Sequence, residues 1–335
     1  MRAAATGRYL DALGTADPAA ALAVAEEQLA RAGGPEQPGA VVGVLVDVVC
    51  AAQHEVGVRW LAGRWNVAQE HAATAISERV VATLADRLPV GRRGRVVVAC
   101  ADREWHALPA RVVDAALRSA GVRTTYLGAA LPPLQLARYL HDTGPDALAL
   151  SCSLAGSMLG ARRTIEAARE AGVPVLLGGA ALDHEGVRAA RLGAHAYAPD
   201  ARSAADVLAT MPRTATPVAP LDHPGADEAA EIGLRRSVVG AAVRDRVDLS
   251  IGPGAVGAEW REALDGLVPQ VVDAVAAALL IEDPTVLDEA RDWAGMVLLH
   301  RGAGGEELAV VGRALTDELR ELPEASRLLR HHWAA

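Results

Sequence analysis

The chain has 335 residues, 51% of them hydrophobic and 3% aromatic, with no phenylalanine and a formal net charge of −9. That length and apolar content suffice for two or three ordinary cores, so more than one domain is expected. A net negative chain without a dense Lys/Arg run offers no phosphate-tracking surface, which argues against nucleic acid as a direct ligand.

Cys50, Cys100 and Cys152 are odd in number, widely spaced and set in apolar runs, so they read as buried reduced thiols rather than a disulfide frame. The N-terminus lacks an apolar run of signal-peptide length, and no segment reads as the roughly 18 to 20 apolar residues of a membrane span. A cytoplasmic location without membrane attachment is expected.

In chain order, apolar positions recur at helical spacing over 3–13, 18–32, 38–60 and 66–88, which predicts a four-helix bundle in residues 1–90. At Gly91 the pattern changes. RVVVACA at 95–101 is a short continuous Val-rich run, as expected of a strand covered on both faces. Further strands are predicted at 122–128, 147–151, 174–179 and 195–198, alternating with helices at 109–120, 132–143, 159–171 and 184–192. This alternation predicts a doubly wound parallel-sheet α/β domain over 91–211. PRTATPVAPLDHPGA, residues 212–226, holds four prolines and reads as a linker. Helices at 227–247, 255–281, 284–301 and 304–321 then predict an all-α domain over 227–335, with His331 and His332 in a terminal tail.

Ligands of open α/β sheets bind at the carboxyl ends of the strands. Glu104 and His106 follow the first strand, Ser151 and Ser153 end the third, and Gly178 and Gly179 end the fourth. Taken singly, His106 reads as a loop histidine and the others as turn chemistry. Their place on one sheet edge favours a ligand site.

The spacing Glu104-Trp105-His106-Ala107-Leu108-Pro109, 41 residues, Ser151-Cys152-Ser153, 24 residues, Gly178-Gly179 resembles the cobalamin-binding signature. That signature carries Gly and Leu where this chain has Pro109 and Ser153. The resemblance implies cobalt ligation from below by His106, the metal-binding residue, with Glu104 fixing its tautomer. Ser151, Ser153, Gly178 and Gly179 would admit the nucleotide tail.

Trp60, nine residues, then Glu70-His71 resembles the helical domain of light-responsive cobalamin-dependent repressors. There Trp60 would stack on an adenosyl group, with Glu70 and His71 beside it; ordinary helix packing is the plainer reading of these three alone. Those repressors place a cobalt-capturing histidine directly after the Trp, where this chain has Leu61, so His71 or His54 would have to substitute. Their N-terminal winged-helix domain is not expected here, so a repressor of that type is not expected either.

The order of the last 110 or so residues, with LLIEDPTVLDEARDWAGMVLLHRGAGGEELAVVGRAL at 279–315, resembles the bilin-associated domain of photocobilins. This implies biliverdin held by Asp292, Trp293, His300 and Arg301, with Arg235, Arg236, Trp260 and Arg261 as further candidates. A solvated helix face around a core Trp explains the same residues equally well. No cysteine lies between residues 153 and 335, so attachment would be noncovalent.

The resemblances together imply a signalling photoreceptor rather than an enzyme: adenosylcobalamin above His106, broken by light and coupled to biliverdin. A corrinoid methyl carrier of a methyltransferase system and a light-independent cobalamin sensor are the alternatives. Tetrapyrroles are the expected partners. A homo-oligomer and a downstream protein are left open.

Overall fold

The computed structural model describes residues 2–251 and 258–333. The chain forms two compact units, one of residues 1–60, 64–154 and 160–218, the other of residues 61–63, 155–159 and 219–335.

The first unit begins with α1 (Arg2–Gly14), α2 (Pro18–Arg31), α3 (Ala40–Val44), a π-helical turn (Leu45–Cys50), α4 (Ala51–Leu61) and α5 (Val67–Ala85). Helix starts follow local chemistry. Asp17 accepts from the N–H groups of Ala19 and Ala20 ahead of a first-turn proline, and Asn66 and Gln69 cap α5 reciprocally. The predicted helix 38–60 is continuous from Ala40 but widens into a π turn at its middle.

Tyr9, Leu13, Leu29, Leu45, Val49, Val81 and Leu84 pack into one core, which Leu108, Val112 and Ala115 of the next helix complete. The Tyr9 hydroxyl meets Ser77 Oγ at 3.2 Å in that core, and burial pushes its pKa up to about 12.

Next come β1 (Arg93–Cys100), α6 (Ala107–Ser119), β2 (Val122–Gly128), α7 (Pro133–Thr143), β3 (Ala147–Ser151), a 3-10 turn (Ala155–Ser157), α8 (Met158–Glu170), β4 (Val175–Gly178), α9 (Val187–Arg191), β5 (Ala196–Tyr197) and α10 (Ala204–Thr210). The five strands are all parallel, in the order β2-β1-β3-β4-β5. The chain reverses its direction of winding between β1 and β3, which is where such sheets open a crevice for ligand. The strand expected at 195–198 is two residues long, and α10 is a helix that the sequence reading did not place.

The second unit is all-α: α11 (Pro224–Ile251), α12 (Ala258–Leu280), α13 (Thr285–Leu299), α14 (Gly305–Glu318) and α15 (Pro323–His332). The linker therefore ends at His223, three residues before its expected end at 226. The expected start of the second helix at 255 lies outside the described residues. His331 and His332 are not a tail. They close α15, with His331 Nδ1 2.8 Å from the Arg327 carbonyl and His332 Nδ1 3.2 Å from both Asp288 oxygens. The start of α15 is capped from a distance: the Glu228 carboxylate accepts from the N–H groups of Glu324 and Ala325 at 3.0 and 2.8 Å.

Trp333 is buried against Gly312, where an added Cβ would lie 1.9 Å from Trp333 Cδ1, and its Nε1 donates to the Leu308 carbonyl. Gly312→Ala is therefore expected to displace the indole and destabilise the fold by about 1–3 kcal/mol, as overpacking generally does. Thermal unfolding of the variant beside the parent checks it; an unchanged midpoint would disprove the tight Gly312–Trp333 contact.

Two helices, Ala40–Leu61 and Trp260–Leu280, are long and apolar enough to cross a membrane, contrary to the sequence expectation. Their apolarity has a local explanation. The second is 72% buried in its strongest window, and the first has one side in the core and another lining the cavity described below.

Candidate functional site

The sheet register brings the motif positions level. Cys100 pairs with Ser151, and Ser151 with Gly178, so the ends of β1, β3 and β4 lie side by side. The chain leaves β1 through a tight turn in which the Glu104 N–H returns to the Ala101 carbonyl and Arg103 takes a φ of 66°. This turn puts Glu104 fully inside the protein.

Four N–H groups converge on its carboxylate. Oε1 accepts from the His106 backbone N–H at 2.9 Å and from its Nδ1 at 2.8 Å; Oε2 accepts from the N–H groups of Ser153 at 2.7 Å and Leu154 at 3.1 Å. Burial would raise the Glu104 pKa, but these hydrogen bonds, led by the one from the His106 ring, outweigh it and hold the carboxyl below its ordinary value. An ionised carboxylate only accepts, so Nδ1 of His106 must carry the proton, and in the neutral ring Nε2 keeps its lone pair. The His106 ring is 56% exposed, and its hydrogen bond to Glu104 raises its pKa against the opposing effect of burial. The geometry makes an imidazole fixed in tautomer and orientation by a buried acid, as metal-ligating histidines are.

His106 opens into a cavity of about 980 Å³ within the first unit. One wall is helical, with His54, Trp60, Glu70, His71 and Thr74; the other is the strand edge, with Ser151, Ser153, Gly178, Gly179 and Tyr197. Every residue the sequence offered for cobalamin therefore lines the cavity except Glu104, which stands behind His106. Glu70 and His71 form a local unit, Oε2 to Nδ1 at 2.6 Å, while Thr74 donates to Glu70 Oε1 at 2.8 Å. Thr74 lies one turn after Glu70, a spacing that marks it in the sequence. Gln53 and Tyr197 carried no such mark.

The chemistry of the donors fits a bound B12. Ser153 Oγ is buried on the cavity edge and, among the described residues, has no hydrogen-bond partner, so it could bond a group of the ligand. Gly179 has φ 128°, and a Cβ there would meet the Cys152 carbonyl at 2.1 Å, so the backbone runs too close for any side chain. The cysteines are not ligand candidates: burial pushes the Cys50 thiol up to about 11 and that of Cys100 to about 12, and raises Cys152 further still. Among the described residues no three His, Cys, Asp or Glu side chains converge to hold a metal by themselves. A macrocycle would have to bring most of the metal's ligands.

The candidates for biliverdin are arranged differently from expectation. Asp292 and Trp293 lie on α13, but that helix ends at Leu299; His300 is its C-cap and Arg301 follows it. Asp292 is taken by Arg291 at 3.0 Å, and Arg301 donates to the Val297 carbonyl at 3.1 Å. Arg235, Arg236 and Arg261 are paired with Glu231, Asp273 and Asp248. The arginines among the biliverdin candidates thus already have partners. Trp260 is buried, with its Nε1 unpartnered among the described residues.

Residues 94–209 match the family model described as a B12 binding domain, and residues 6–85 match a second model of the same description. Fold and site therefore define a two-part cobalamin-binding module, a helical layer over a parallel-sheet layer. The curated HTH-type transcriptional repressor CarH of Myxococcus xanthus is 32% identical over 157 residues, 46% of this chain and 51% of the repressor. The chain thus spans about half the length of that relative. Among solved structures, the monomethylamine corrinoid protein of Methanosarcina barkeri superposes with a TM-score of 0.51 at 21% identity, covering 59% of this chain and 94% of that one. At that identity the likeness speaks for a common fold.

Proposed function

We propose that the first unit holds adenosylcobalamin with His106 as lower axial ligand, and that the chain is a photoreceptor and signalling module of the cytoplasm rather than an enzyme. The observation that carries this reading is the buried Glu104 locking His106 at the mouth of a cavity whose other wall presents Trp60 and Glu70. An indole and a carboxylate suit an adenosyl group, with a flat base to stack and a ribose to hydrogen-bond; a methyl group needs neither.

When bound, the cofactor supplies a cobalt–carbon bond that light breaks. The chain's own share is to hold it: Glu104 orients His106, Gly179 lets the tail run close to the backbone, and Ser153 Oγ offers the tail a hydrogen bond. Loss of the upper group would free the Trp60–Glu70 wall, and with it the packing of α4 and α5 on the core. The reading gives these residues no nucleic-acid contact.

For the second unit we extend the reading to biliverdin, as in photocobilins, supported by the buried Trp260 Nε1, which is unpartnered among the described residues; with no cysteine after Cys152 the attachment would be noncovalent. Titration with biliverdin should shift and sharpen the bilin absorption; free-bilin spectra throughout would confine the reading to cobalamin.

The deciding experiment is an absorption spectrum of the adenosylcobalamin-loaded protein in the dark and after green illumination. A light-dependent change is expected. An unchanged spectrum would overturn the photoreceptor reading, and methyl transfer from bound methylcobalamin to a partner methyltransferase would move the protein to the corrinoid carriers. A response to cobalamin in darkness alone would make it a cobalamin sensor.

A further inference from the structure

The amino edge of the sheet, opposite the cavity that His106 faces, carries a second concave site that cobalamin would not touch. A cavity of about 640 Å³ opens where the chain enters β1, lined by the Pro89–Arg93 segment, Gly121 and Arg123. β1 is eight residues long, so this site lies roughly 26 Å from the carboxyl strand ends.

Local geometry holds three arginines around it. The backbone N–H groups of Arg92 and Arg93 both donate to the Gly121 carbonyl at 3.0 Å, and Gly91 lies so close to β2 that an added Cβ would meet the Val122 carbonyl at 2.0 Å. Arg93 is level with Val122 in the parallel ladder, one residue before Arg123. The segment entering β1 and the start of β2 are therefore fixed to each other, and the three side chains line one cavity from a rigid base.

These arginines are set apart by the lack of acids beside them. Among the described residues the Arg92 and Arg123 side chains have no hydrogen-bond or ion-pair partner, and Arg93 reaches only the Ala120 carbonyl, at 3.4 Å. Their neighbours differ: Arg87 is paired with Glu26 and Arg118 with Asp86, while Arg95 donates to the carbonyls of Thr143 and Gly144. Three unanswered cations around one cavity repel one another, in a chain whose net charge of −9 leaves no shortage of carboxylates elsewhere. A multivalent anion would remove that repulsion.

We infer that this cavity binds a di- or triphosphate group, carried by a nucleotide or as an inorganic chain. Guanidinium forks match phosphate oxygens two at a time, and three of them exceed the about 1.5 to 2 charges of a single phosphate monoester. Val90, 80% exposed, and Pro89 add apolar surface for the uncharged part of a nucleotide. The cations crowd one pocket instead of forming a stripe, which suits a small anion and not a nucleic-acid backbone.

Calorimetric titration of the full chain with tripolyphosphate, ATP and orthophosphate, without added metal ions, tests the site. Tripolyphosphate and ATP should bind at least about 10-fold more tightly than orthophosphate, and both should raise the thermal midpoint. Arg92→Ala and Arg123→Ala should each weaken tripolyphosphate by about 10-fold, as loss of a charge-assisted contact implies, and Arg123→Glu should abolish its binding. Arg138→Ala, which removes an exposed arginine far along the chain, should change nothing. Arg92 and Arg123 are exposed, so the anion-free variants should melt with the parent. Arg92→Gln and Arg123→Gln, which keep most of the side chain, carry the same test if an alanine variant melts early. Tighter binding of ATP than of tripolyphosphate would assign the apolar lip to a nucleotide, and equal binding would assign the site to the phosphate chain alone; both support it. No binding by the parent, equal affinity for all three anions, an equal loss in Arg138→Ala, or unchanged affinity in the Arg92 and Arg123 variants would overturn it. So would a short DNA duplex that binds more tightly than tripolyphosphate through the same arginines.

Discussion

His106→Ala is expected to hold cobalamin without its lower protein ligand and to retain it at least about 100-fold more weakly than the parent. Loss of a partner that only orients a metal ligand already costs about 10- to 100-fold in affinity, and here the ligand itself is removed. The substitution is structurally mild: the ring is half exposed, and although His106 is the N-cap residue of α6 its side chain makes no capping hydrogen bond. The backbone N–H at that position still reaches Glu104, so the turn keeps its shape. Equilibrium dialysis against hydroxocobalamin, with the absorption spectrum of whatever is retained, measures both parts of the effect. Parent-like affinity and spectrum would end the axial role of His106, and recovery of the parent spectrum on adding imidazole would show that coordination, rather than folding, had been lost.

Glu104→Gln is expected to weaken retention by about 10- to 100-fold while leaving His106 in the chain. The change looks conservative and is not. The carboxylate accepts four N–H groups, two on each oxygen, whereas an amide presents an acceptor on one side and a donor on the other. Either orientation of Gln sets an NH2 against two donors, from His106 or from Ser153 and Leu154. An unpaired buried polar group costs about 1–3 kcal/mol, so the variant should also melt earlier.

The pH dependence separates the two roles of this pair. The lowered Glu104 carboxyl contributes stability above its unfolded pKa, and that contribution fades as pH falls through the still lower folded value. The raised His106 contributes below its unfolded pKa, and this fades as pH rises through the folded value. The pair thus stabilises the cofactor-free protein most between the two unfolded values, about pH 4.3 to 6.5. Cobalt needs the neutral ring, so cobalamin uptake should run the other way, strengthening as pH rises through the raised His106 value and releasing a proton. In Glu104→Gln that midpoint should move to lower pH. A midpoint that stays in place would mean the acid does not govern the imidazole.

The candidate residues were legible as neighbours because their types and spacings are local. The continuous Val-rich runs place strands by burial on both faces, and strand ends must lie on one edge in a parallel sheet, so the sequence alone brings His106, Ser151 and Gly178 together. The same holds for Trp60 and the Glu70-His71 pair, with nine residues between them, on helices joined by a short turn. The C-terminal helices were legible as helices, but not as a ligand site. Ion pairing among Arg235, Glu231, Arg236, Asp273, Arg261 and Asp248 depends on how side chains meet, and helical spacing does not reveal which charges are already neutralised.

By itself, then, the sequence determined the order of helical, α/β and helical segments, the parallel sheet and the set of side chains at its carboxyl edge, since hydrophobic period and strand-end position are properties of neighbouring residues. Only the tertiary structure decided that Glu104 is fully buried and satisfied by Ser153 and Leu154 as well as His106, that a π turn precedes the face of α4 carrying His54, and that α15 with Trp333 packs home on Gly312. Each of these joins residues far apart in the chain or shifts a helix by a fraction of a turn. Such outcomes are set by packing density and by the need to pair every buried polar group, not by the local pattern.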